Sequence, residues 1–335
     1  TNLISQNAYV YVLATGMLLC ILTGGNIDLS VGSVVCFVGA VGGVFMEKMG
    51  MPMPIAVILM LLLGAVIGAW QAVWIAYVHV PPFITTLSGM FVFRGLSNVV
   101  LGGQTLPIKN QAFVVLFGGG ANCYVPDILG GGEGMNRLAL VVGVVACVIF
   151  VVVTMKGYLN RKKKGYETGN VAAMYMKMIL ICAVILFITY KLAKYKGIPT
   201  SWVWVRIVVL IYGYITSKTT IGRYFYAVGG NEKATKLSGI NTERVYFLAY
   251  TNMGLLSALA GMLTIARLTS AQPTYGQNYE MDAIGSCFIG GASAYGGTGT
   301  VPGVIIGATL MGIINQGMSI MGTDQNMQKV VKGLV

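Results

Sequence analysis

Long, predominantly apolar blocks constrain this chain more than any other feature of its sequence. Three clear examples lie at residues 55–78, 138–155 and 245–266. A block of about 17–25 apolar residues matches the roughly 30 Å hydrocarbon core of a bilayer when it forms a helix. A soluble fold would have to bury every such block, and charged residues make up only 10% of the chain to cover that core. The blocks therefore predict a protein that crosses a membrane many times.

The predicted fold class is an all-α, polytopic transmembrane helical bundle. Lipid offers no hydrogen-bond partners to exposed backbone groups, so the spanning segments have to satisfy their own backbone as helices. We expect ten or eleven spans within one transmembrane domain over residues 1–335. Because the chain begins without Met and stops inside an apolar run, we expect it to lack a first helix and the end of its last. The expected spans are 8–23, 31–46, 54–78, 83–101, 138–155, 177–193, 203–217, 245–266, 282–294, 304–321 and a truncated one from 327.

The distribution of charge predicts the orientation of these spans. The net charge is +12, and many of the basic residues lie in two clusters, at residues 156–164 and 218–244. Lys and Arg mark the cytoplasmic loops of membrane proteins, and two spans separate the clusters, so both fall on the cytoplasmic side. A smaller group, Lys191, Lys194 and Lys196, lies between those two spans and would face outward as an exception. The glycine-rich region 104–136 has few charges and is expected on the outer side. This pattern indicates contact with membrane lipid and argues against nucleic-acid binding.

Sequence motifs of catalysis and metal binding are missing. The chain has one His and six scattered Cys without a CxxC pair, so a zinc or disulfide framework is not expected. It has no GxxxxGK[ST] phosphate loop, so it should not hydrolyse ATP by itself. We therefore expect no enzymatic activity, no metal and no cofactor.

Glycine is unusually frequent, with 46 residues, and clusters in or beside the expected spans. Gly64 with Gly68 and Gly303 with Gly307 form GxxxG pairs. Small residues at this spacing let helices approach closely in lipid, so a tightly packed bundle is expected.

The segment 222–240 carries helix signals of its own between two expected spans. Asn231 can cap a short helix over residues 232–238, and Gly239 can end it in a left-handed conformation. Ala234 and Leu237 would share one face of this helix. A solvated turn is the plainer interpretation, but a short helix held outside the membrane also suits docking on a separate motor.

Several segments together resemble the ribose/xylose/multiple-sugar permease family of ABC importers. The similar stretches lie at both ends of the chain and in the expected order: residues 24–32, 81–87, 94–95, 222–240, 250, 254, 258–261, 266–267, 270–273, 279–284, 290–293, 296–299 and 303. The charged loop at residues 161–164 and the span 177–193 look like extra sequence relative to short ribose-type permeases. The longer xylose and multiple-monosaccharide types are similar in this respect.

The resemblance implies a function and a set of partners. The chain would be the permease subunit of a bacterial importer, a multi-pass protein of the inner (plasma) membrane. Two copies would form the path as a homodimer, separate ATPase subunits would drive it, and an extracytoplasmic sugar-binding protein would deliver a monosaccharide. The segment 218–244 would be the cytoplasmic coupling loop. The residues expected to couple to the ATPase are Gly222, Gly229, Gly230, Asn231, Glu232, Ala234, Leu237, Ser238 and Gly239.

Polar residues inside the expected spans are candidates for the path or for structural roles, because intramembrane ionisable groups are costly. Asp28 could cap the following helix, pair with a cation or line the path. Arg94 lies well inside its span, and Asp28 is a candidate partner. Asp282 is expected to cap the helix that follows it. Amides that could hydrogen-bond a sugar, or equally another helix, are Gln71, Asn98, Asn252, Asn315 and Gln316.

Two other transporter classes remain open from the sequence. A branched-chain amino-acid ABC permease has similar glycine-rich spans, although the segments at 27–30 and 238–240 favour the sugar class. An ion-coupled secondary transporter would be expected to place acidic groups near the membrane midplane, and this chain offers almost none. A scaffold without transport has no positive feature in its favour.

Overall fold

The computed structural model describes residues 2–118, 123–127, 136–163, 171–195 and 197–334. These residues form two compact units. The smaller unit is Tyr124–Pro199, and the larger one combines Asn2–Cys123 with Thr200–Val335. The single permease domain expected over residues 1–335 stays a prediction.

The described part of the chain is almost entirely helical, as predicted. The helices are, in chain order, α1 (Asn2–Gln6), α2 (Ala8–Leu22), α3 (Val31–Gly43, continued by a π-helical turn, Val44–Lys48), α4 (Met53–Ala76), α5 (Pro82–Leu101), α6 (Gln111–Phe117), α7 (Arg137–Lys163), α8 (Val171–Tyr195), α9 (Thr200–Lys218), α10 (Thr220–Gly230), α11 (Glu232–Leu237), α12 (Thr242–Leu268), α13 (Tyr279–Ile289), α14 (Val301–Ile320) and α15 (Gln325–Leu334). Two short strands, β1 (Leu106–Pro107) and β2 (Ser270–Ala271), pair antiparallel.

Eight of the described helices are long and apolar enough to cross a membrane. They confirm the all-α polytopic bundle, although ten or eleven spans were expected. The difference lies in three shorter helices. Helix α2 is apolar but has only 15 residues, α13 has 11 residues and ends at Ile289 rather than near 294, and the expected span from 327 is the ten-residue α15.

Helix α12 forms the centre of the larger unit, and 78% of the residues in its most apolar stretch are buried. It packs most closely against α4, where Gly254 meets Gly64 and Gly68. A methyl group on Gly68 would lie 2.5 Å from the Tyr250 carbonyl oxygen, and one on Gly254 would collide with the Gly64 carbonyl oxygen. The first GxxxG pair thus creates the backbone contact that lipid-embedded helices use for association.

Helix α2 runs antiparallel to α12 and defines two ends of the larger unit. The Cys20 thiol donates to the Ala249 carbonyl oxygen at 3.8 Å, and Gly16 packs on Met253 and Leu256. With its 27 residues, α12 is about 40 Å long. One end of the unit, here called the α11 end, carries α11 and the last turn of α2. The opposite end carries the last turn of α12 and the first turn of α2.

The chain after α2 folds back into the bundle before α3 begins. The Asp28 amide lies 3.5 Å from the Met17 sulfur, so the loop reaches back to the level of the middle of α2. Discontinuous helices of this kind are common in transporters. Helix α3 then runs to the opposite end, where the Glu47 carboxylate accepts from the Lys109 and Asn110 amides at 2.7 and 3.2 Å.

The smaller unit is an antiparallel pair of helices, α7 and α8. Asp127 accepts from the Arg137 amide at 2.9 Å, and Asn136 accepts from the Ala139 amide at 2.9 Å, so both carboxylate and amide oxygens cap α7. Helix α7 continues to Lys163, which places Lys156 in a helix rather than a loop. Lys164 and Lys196 lie outside the described residues.

Candidate functional site

The segment after α9 folds as two short helices whose ends are set by local side chains. The Thr219 hydroxyl accepts from the Gly222 amide at 3.1 Å and starts α10. Asn231 ends α10 and starts α11, where its side-chain oxygen accepts from the Ala234 amide at 3.0 Å. Gly239 has a φ of +83°, the left-handed conformation that commonly stops a helix. The expected cap and stop are both confirmed.

Helix α11 presents most of its surface to the surroundings. It ends at Leu237, one residue before the expected end, and Ser238 closes it with a hydroxyl that donates to the Ala234 carbonyl at 2.9 Å. Glu232 and Ala234 are exposed, and Leu237 is 90% exposed. Leu237 therefore packs little against the bundle and is accessible to another molecule.

The inner side of α11 is fixed to the bundle by hydrogen bonds. Thr235 is buried, and its hydroxyl donates to the carbonyl oxygens of Ala227 and Asn231 at 2.8 and 2.7 Å. The Tyr246 hydroxyl on α12 donates to the Glu232 carboxylate at 3.1 Å. These bonds join α11 to both neighbouring helices, α10 and α12.

Helix α10 packs against the last turn of α2 through one glycine. A methyl group on Gly229 would collide with the Leu22 carbonyl oxygen and the Gly297 amide, whereas one on Gly230 would meet nothing within 4 Å. Gly222 is also tightly packed, against the Ile215 carbonyl at the end of α9. The predicted glycines therefore differ: Gly222 and Gly229 are close contacts, and Gly230 is free of them among the described residues.

Tyr226 adds a polar contact on the same side of α10. Its hydroxyl donates to the Gly299 carbonyl oxygen at 2.8 Å. Burial raises the pKa of this hydroxyl above its ordinary value, so it remains a donor near neutral pH. The α11 end is thus a connected set of contacts between α10, α11, α2 and the turn before α14.

Asp28 is buried beside the start of α3. Its Oδ1 atom accepts from the Ser30 amide at 2.8 Å and from the Ser30 hydroxyl at 2.7 Å. The hydroxyl of Ser30 and the side-chain amide of Gln71 are also hydrogen-bonded, at 2.9 Å. Of the three roles considered for Asp28, this geometry fits the cap-like role of ordering the turn into a helix.

The expected pairing of Arg94 with Asp28 is wrong. The Arg94 Nη1 atom donates to the carbonyl oxygens of Tyr275 and Pro273, at 2.6 and 3.4 Å. These carbonyls belong to the turn between β2 and α13. A guanidinium with several donors can satisfy backbone carbonyls in this way without an acidic partner.

Two of the candidate amides, Asn98 and Asn315, lie in different environments. Asn98 is exposed and donates to the Arg94 carbonyl of its own helix at 3.0 Å. Asn315 is only 8% exposed, and its side-chain oxygen has no hydrogen-bond partner among the described residues. Of the pair, Asn315 alone lines a cavity at the opposite end of the larger unit.

This cavity has a volume of about 270 Å³ and a mainly polar wall. It lies between helix α1, the first turn of α2, the last turn of α12, and helices α13, α14 and α15. Sequence reasoning missed it, because the wall is assembled from distant segments. The lining residues are Ser5, Gln6, Asn7, Ala8, Tyr9, Leu263, Thr264, Arg267, Leu268, Tyr279, Asn315, Ser319, Gln328 and Lys332.

Asp282 lies behind the cavity wall and does not cap a helix, contrary to expectation. Helix α13 begins earlier, at Tyr279, so Asp282 is inside its first turn. The Lys332 Nζ atom is 2.8 Å from Asp282 Oδ1 and 3.0 Å from Oδ2, and the Tyr9 hydroxyl donates to Oδ2 at 2.8 Å. A buried carboxylate is thus paired with a lysine from α15.

The whole chain matches one sequence family. The family described as "Branched-chain amino acid transport system / permease component" matches residues 1–157 and 133–335. The chain belongs to this family of permease components. It is a multi-pass protein of the inner membrane, and its family is one of transporter subunits rather than enzymes.

Several relatives that align with nearly the whole length of the permease are named as sugar transport proteins. The xylose transport system permease protein of Escherichia coli (strain K12) is 34% identical over 335 residues, which are 100% of this chain and 82% of that protein. The xylose protein of Haemophilus influenzae is 35% identical over 334 residues, covering 99% and 85% of the two chains. The ribose import permease protein of Escherichia coli (strain K12) is 34% identical over 337 residues, covering 100% and 82%. No solved structure matches the permease significantly.

The described part of the permease shows no candidate metal site. No group of three or more His, Cys, Asp or Glu side chains there could hold a metal ion. The amides, hydroxyls and few cations of the site residues described above can form hydrogen bonds.

Proposed function

We propose that this permease is the membrane subunit of a bacterial ATP-driven ABC importer for monosaccharides, of the xylose or multiple-sugar type. The observation that carries the proposal is the 34% identity over the whole chain to proteins named for xylose and ribose transport. The match extends through both ends of the chain, so it includes the α11 end and the cavity alike.

The partners follow from this class of transporter. ATP hydrolysis belongs to a separate ATPase subunit, because the permease has no phosphate-binding loop. An extracytoplasmic binding protein delivers the sugar to the opposite end of the bundle. A second copy of the permease completes the path as a homodimer.

Helix α11 is the part that docks on the ATPase. Its outer surface carries the exposed Leu237, flanked by Lys233 and Lys236, which suits an apolar groove with an acidic rim. Helix-in-groove recognition uses an apolar anchor of this kind. The residues proposed to couple are Gly222, Gly229, Asn231, Glu232, Ala234, Leu237, Ser238 and Gly239. Gly230 lies in the same segment, but a methyl group there would meet nothing within 4 Å, so it is left out of the proposal.

The contacts at the α11 end can transmit a movement of α11 to the rest of the bundle. A displaced α11 pulls on α10 through Thr235 and Ala227. Helix α10 has no space to shift relative to α2 at Gly229 and Leu22, and Tyr226 carries the motion to the turn at Gly299. The ATPase would in this way move α2 and the turn before α14 together.

A second candidate substrate is a branched-chain amino acid, since the family description names this class. The names of the similar relatives favour sugars, and the two substrate classes differ enough to be distinguished in one assay.

The test is uptake of labelled xylose, ribose, glucose, galactose and leucine by cells with and without the full-length gene in its operon. Loss of a sugar, restored by the gene, supports the proposal, whereas loss of leucine alone moves the permease to the amino-acid class.

A further inference from the structure

Helix α9, one of the helices long and apolar enough to cross a membrane, carries an arginine on its outer face. The face that packs into the bundle is marked by buried residues, among them Val205, Val208 and Tyr212. Arg206 lies on the other side and is exposed. Leu210, one turn further along the same face, is 72% exposed. Arg206 therefore leaves the bundle among apolar side chains that face lipid.

The start of α9 is fixed at the opposite end of the larger unit, and this sets the depth of Arg206. The hydroxyl of Thr200, the first residue of α9, donates to the Gly118 carbonyl oxygen at 2.9 Å. A methyl group on Gly118 would lie 3.3 Å from the carbonyl oxygen of Ala266, in the last turn of α12. The backbone of Arg206 lies about 9 Å further along the helix.

The guanidinium of Arg206 reaches back toward the start of α9 and lies over Trp202. Its central carbon is 4.3 Å from the centre of the Trp202 ring, which belongs to the preceding helical turn. Side chains on a helix lean toward its N-terminus, and a long arginine can carry its charge to the membrane surface in this way. Tryptophan is itself enriched at the level of the lipid headgroups. The charge thus lies near the level at which lipid phosphates are found.

The hydrogen-bonding groups of this guanidinium remain free. The contact with the ring is electrostatic and leaves the five N–H donors of an arginine available. The ion pairs among the described residues are Lys236 with Glu243 and Lys332 with Asp282, so Arg206 has no acidic partner in that part of the chain. A cation within a membrane span is costly without a partner. We therefore expect the partner to come from outside the chain.

We propose that Arg206 and Trp202 bind the phosphate group of an anionic phospholipid in the leaflet at the opposite end. Two oxygens of a phosphodiester can accept from one guanidinium in a bidentate geometry. The ring of Trp202 holds the guanidinium in place by stacking. Phosphatidylglycerol leaves its phosphate charge unopposed, whereas the ammonium group of phosphatidylethanolamine competes with Arg206 for the same phosphate. The site does not depend on which substrate the permease transports.

The test is native mass spectrometry of the full-length permease in detergent, titrated with phosphatidylglycerol, phosphatidylethanolamine or inorganic phosphate. The variants are Arg206→Met, Arg206→Lys and Trp202→Leu. The control is Lys109→Met, which removes one positive charge from an exposed residue at the same end, outside the helices. Because Arg206 and Lys109 are exposed, thermal melts of their variants without added lipid should match the wild type.

We expect one phosphatidylglycerol per subunit to bind the wild type and Lys109→Met equally, and to lose about tenfold or more in affinity in Arg206→Met. Arg206→Lys keeps the charge without the planar fork and should lie between the two. Trp202→Leu should lose affinity severalfold, because the guanidinium is no longer held. Unchanged binding in Arg206→Met, or an equal loss in Lys109→Met, would overturn the site.

The other arms decide which molecule occupies the site. Phosphatidylethanolamine that binds as tightly as phosphatidylglycerol would overturn the anionic class. Displacement of the bound lipid by inorganic phosphate would overturn the lipid headgroup as the source of the phosphate. Dissociation of a permease dimer in Arg206→Met, without loss of lipid, would overturn lipid as the occupant and indicate a second permease copy.

Discussion

Gly229 on α10 rests directly on the carbonyl oxygen of Leu22, the last residue of α2. No side chain larger than hydrogen fits between the two backbones. This contact joins the helix that precedes α11 to one of the most buried helices of the bundle. It is a close backbone contact between the segment of the proposed docking helix and the core.

The adjacent glycines of α10 give a matched test of this link. Gly229→Ala should displace α10 and abolish or strongly reduce transport, because its methyl group collides with Leu22. Gly230→Ala should transport normally, because a methyl group there meets nothing within 4 Å. Sugar uptake, with membrane content measured by immunoblot, checks both. Normal uptake by Gly229→Ala would show that the Leu22 contact does not matter.

The stop of α11 can be tested at Gly239, whose φ is +83°. Pro cannot adopt this angle because its ring holds φ near −65°, so Gly239→Pro should abolish transport while the protein remains in the membrane. Asn tolerates the left-handed conformation, and Gly239→Asn should keep most of the activity. Similar uptake by the two variants would contradict a role for the shape of this turn.

The attachment of α11 to α12 can be tested at Glu232. Glu232→Arg should abolish transport, because Arg cannot accept the bond from Tyr246 and places a positive charge at the positive end of the helix dipole of α11. Glu232→Gln keeps an acceptor for Tyr246 and should be far milder. The measurement is ATPase activity of the assembled complex beside uptake. Wild-type coupling in Glu232→Arg would remove the case for this attachment.

The buried pair of Asp282 and Lys332 should behave as a unit. Lys332→Met leaves a carboxylate that is 1% exposed without its cation, and this should cost about 3–5 kcal/mol. The double variant Asp282→Asn with Lys332→Met should be more stable than Lys332→Met alone, because the unpaired charge is gone. Thermal melts in one detergent compare them. Additive losses would mean that the two residues do not interact.

Arg94 should stabilise the turn before α13 independently of Asp28. Arg94→Met leaves the Tyr275 carbonyl without its 2.6 Å bond and should cost about 1.5–3 kcal/mol. Asp28→Asn should be mild, since Asn also accepts from the Ser30 amide. The double variant should be additive within about 0.5 kcal/mol. A coupling of more than about 1 kcal/mol between them would restore the direct pairing that the structure contradicts.

The sequence predicted what is decided locally. The cap at Asn231 and the stop at Gly239 depend on one turn of helix, so their residue types were sufficient to place α11. The Gly64 and Gly68 contact was also indicated, because the spacing of small residues signals close helix packing in lipid.

Long-range partners could not be predicted. Arg94 binds carbonyl oxygens 179 and 181 residues away, and a carbonyl has no sequence signature. Asp282 suggested a cap because a polar residue before an apolar run often is one. Its real partner, Lys332, lies 50 residues further on. The cavity has walls from six helices, so no single segment indicated it.

The most direct test of the central claim is transport by purified components. Full-length permease, its ATPase and its binding protein are reconstituted in liposomes, and labelled xylose, ribose and leucine are offered with and without ATP. We predict ATP-dependent accumulation of a sugar that also requires the binding protein, with no accumulation of leucine. Accumulation of leucine alone, or sugar uptake that needs neither ATP nor the binding protein, would contradict it.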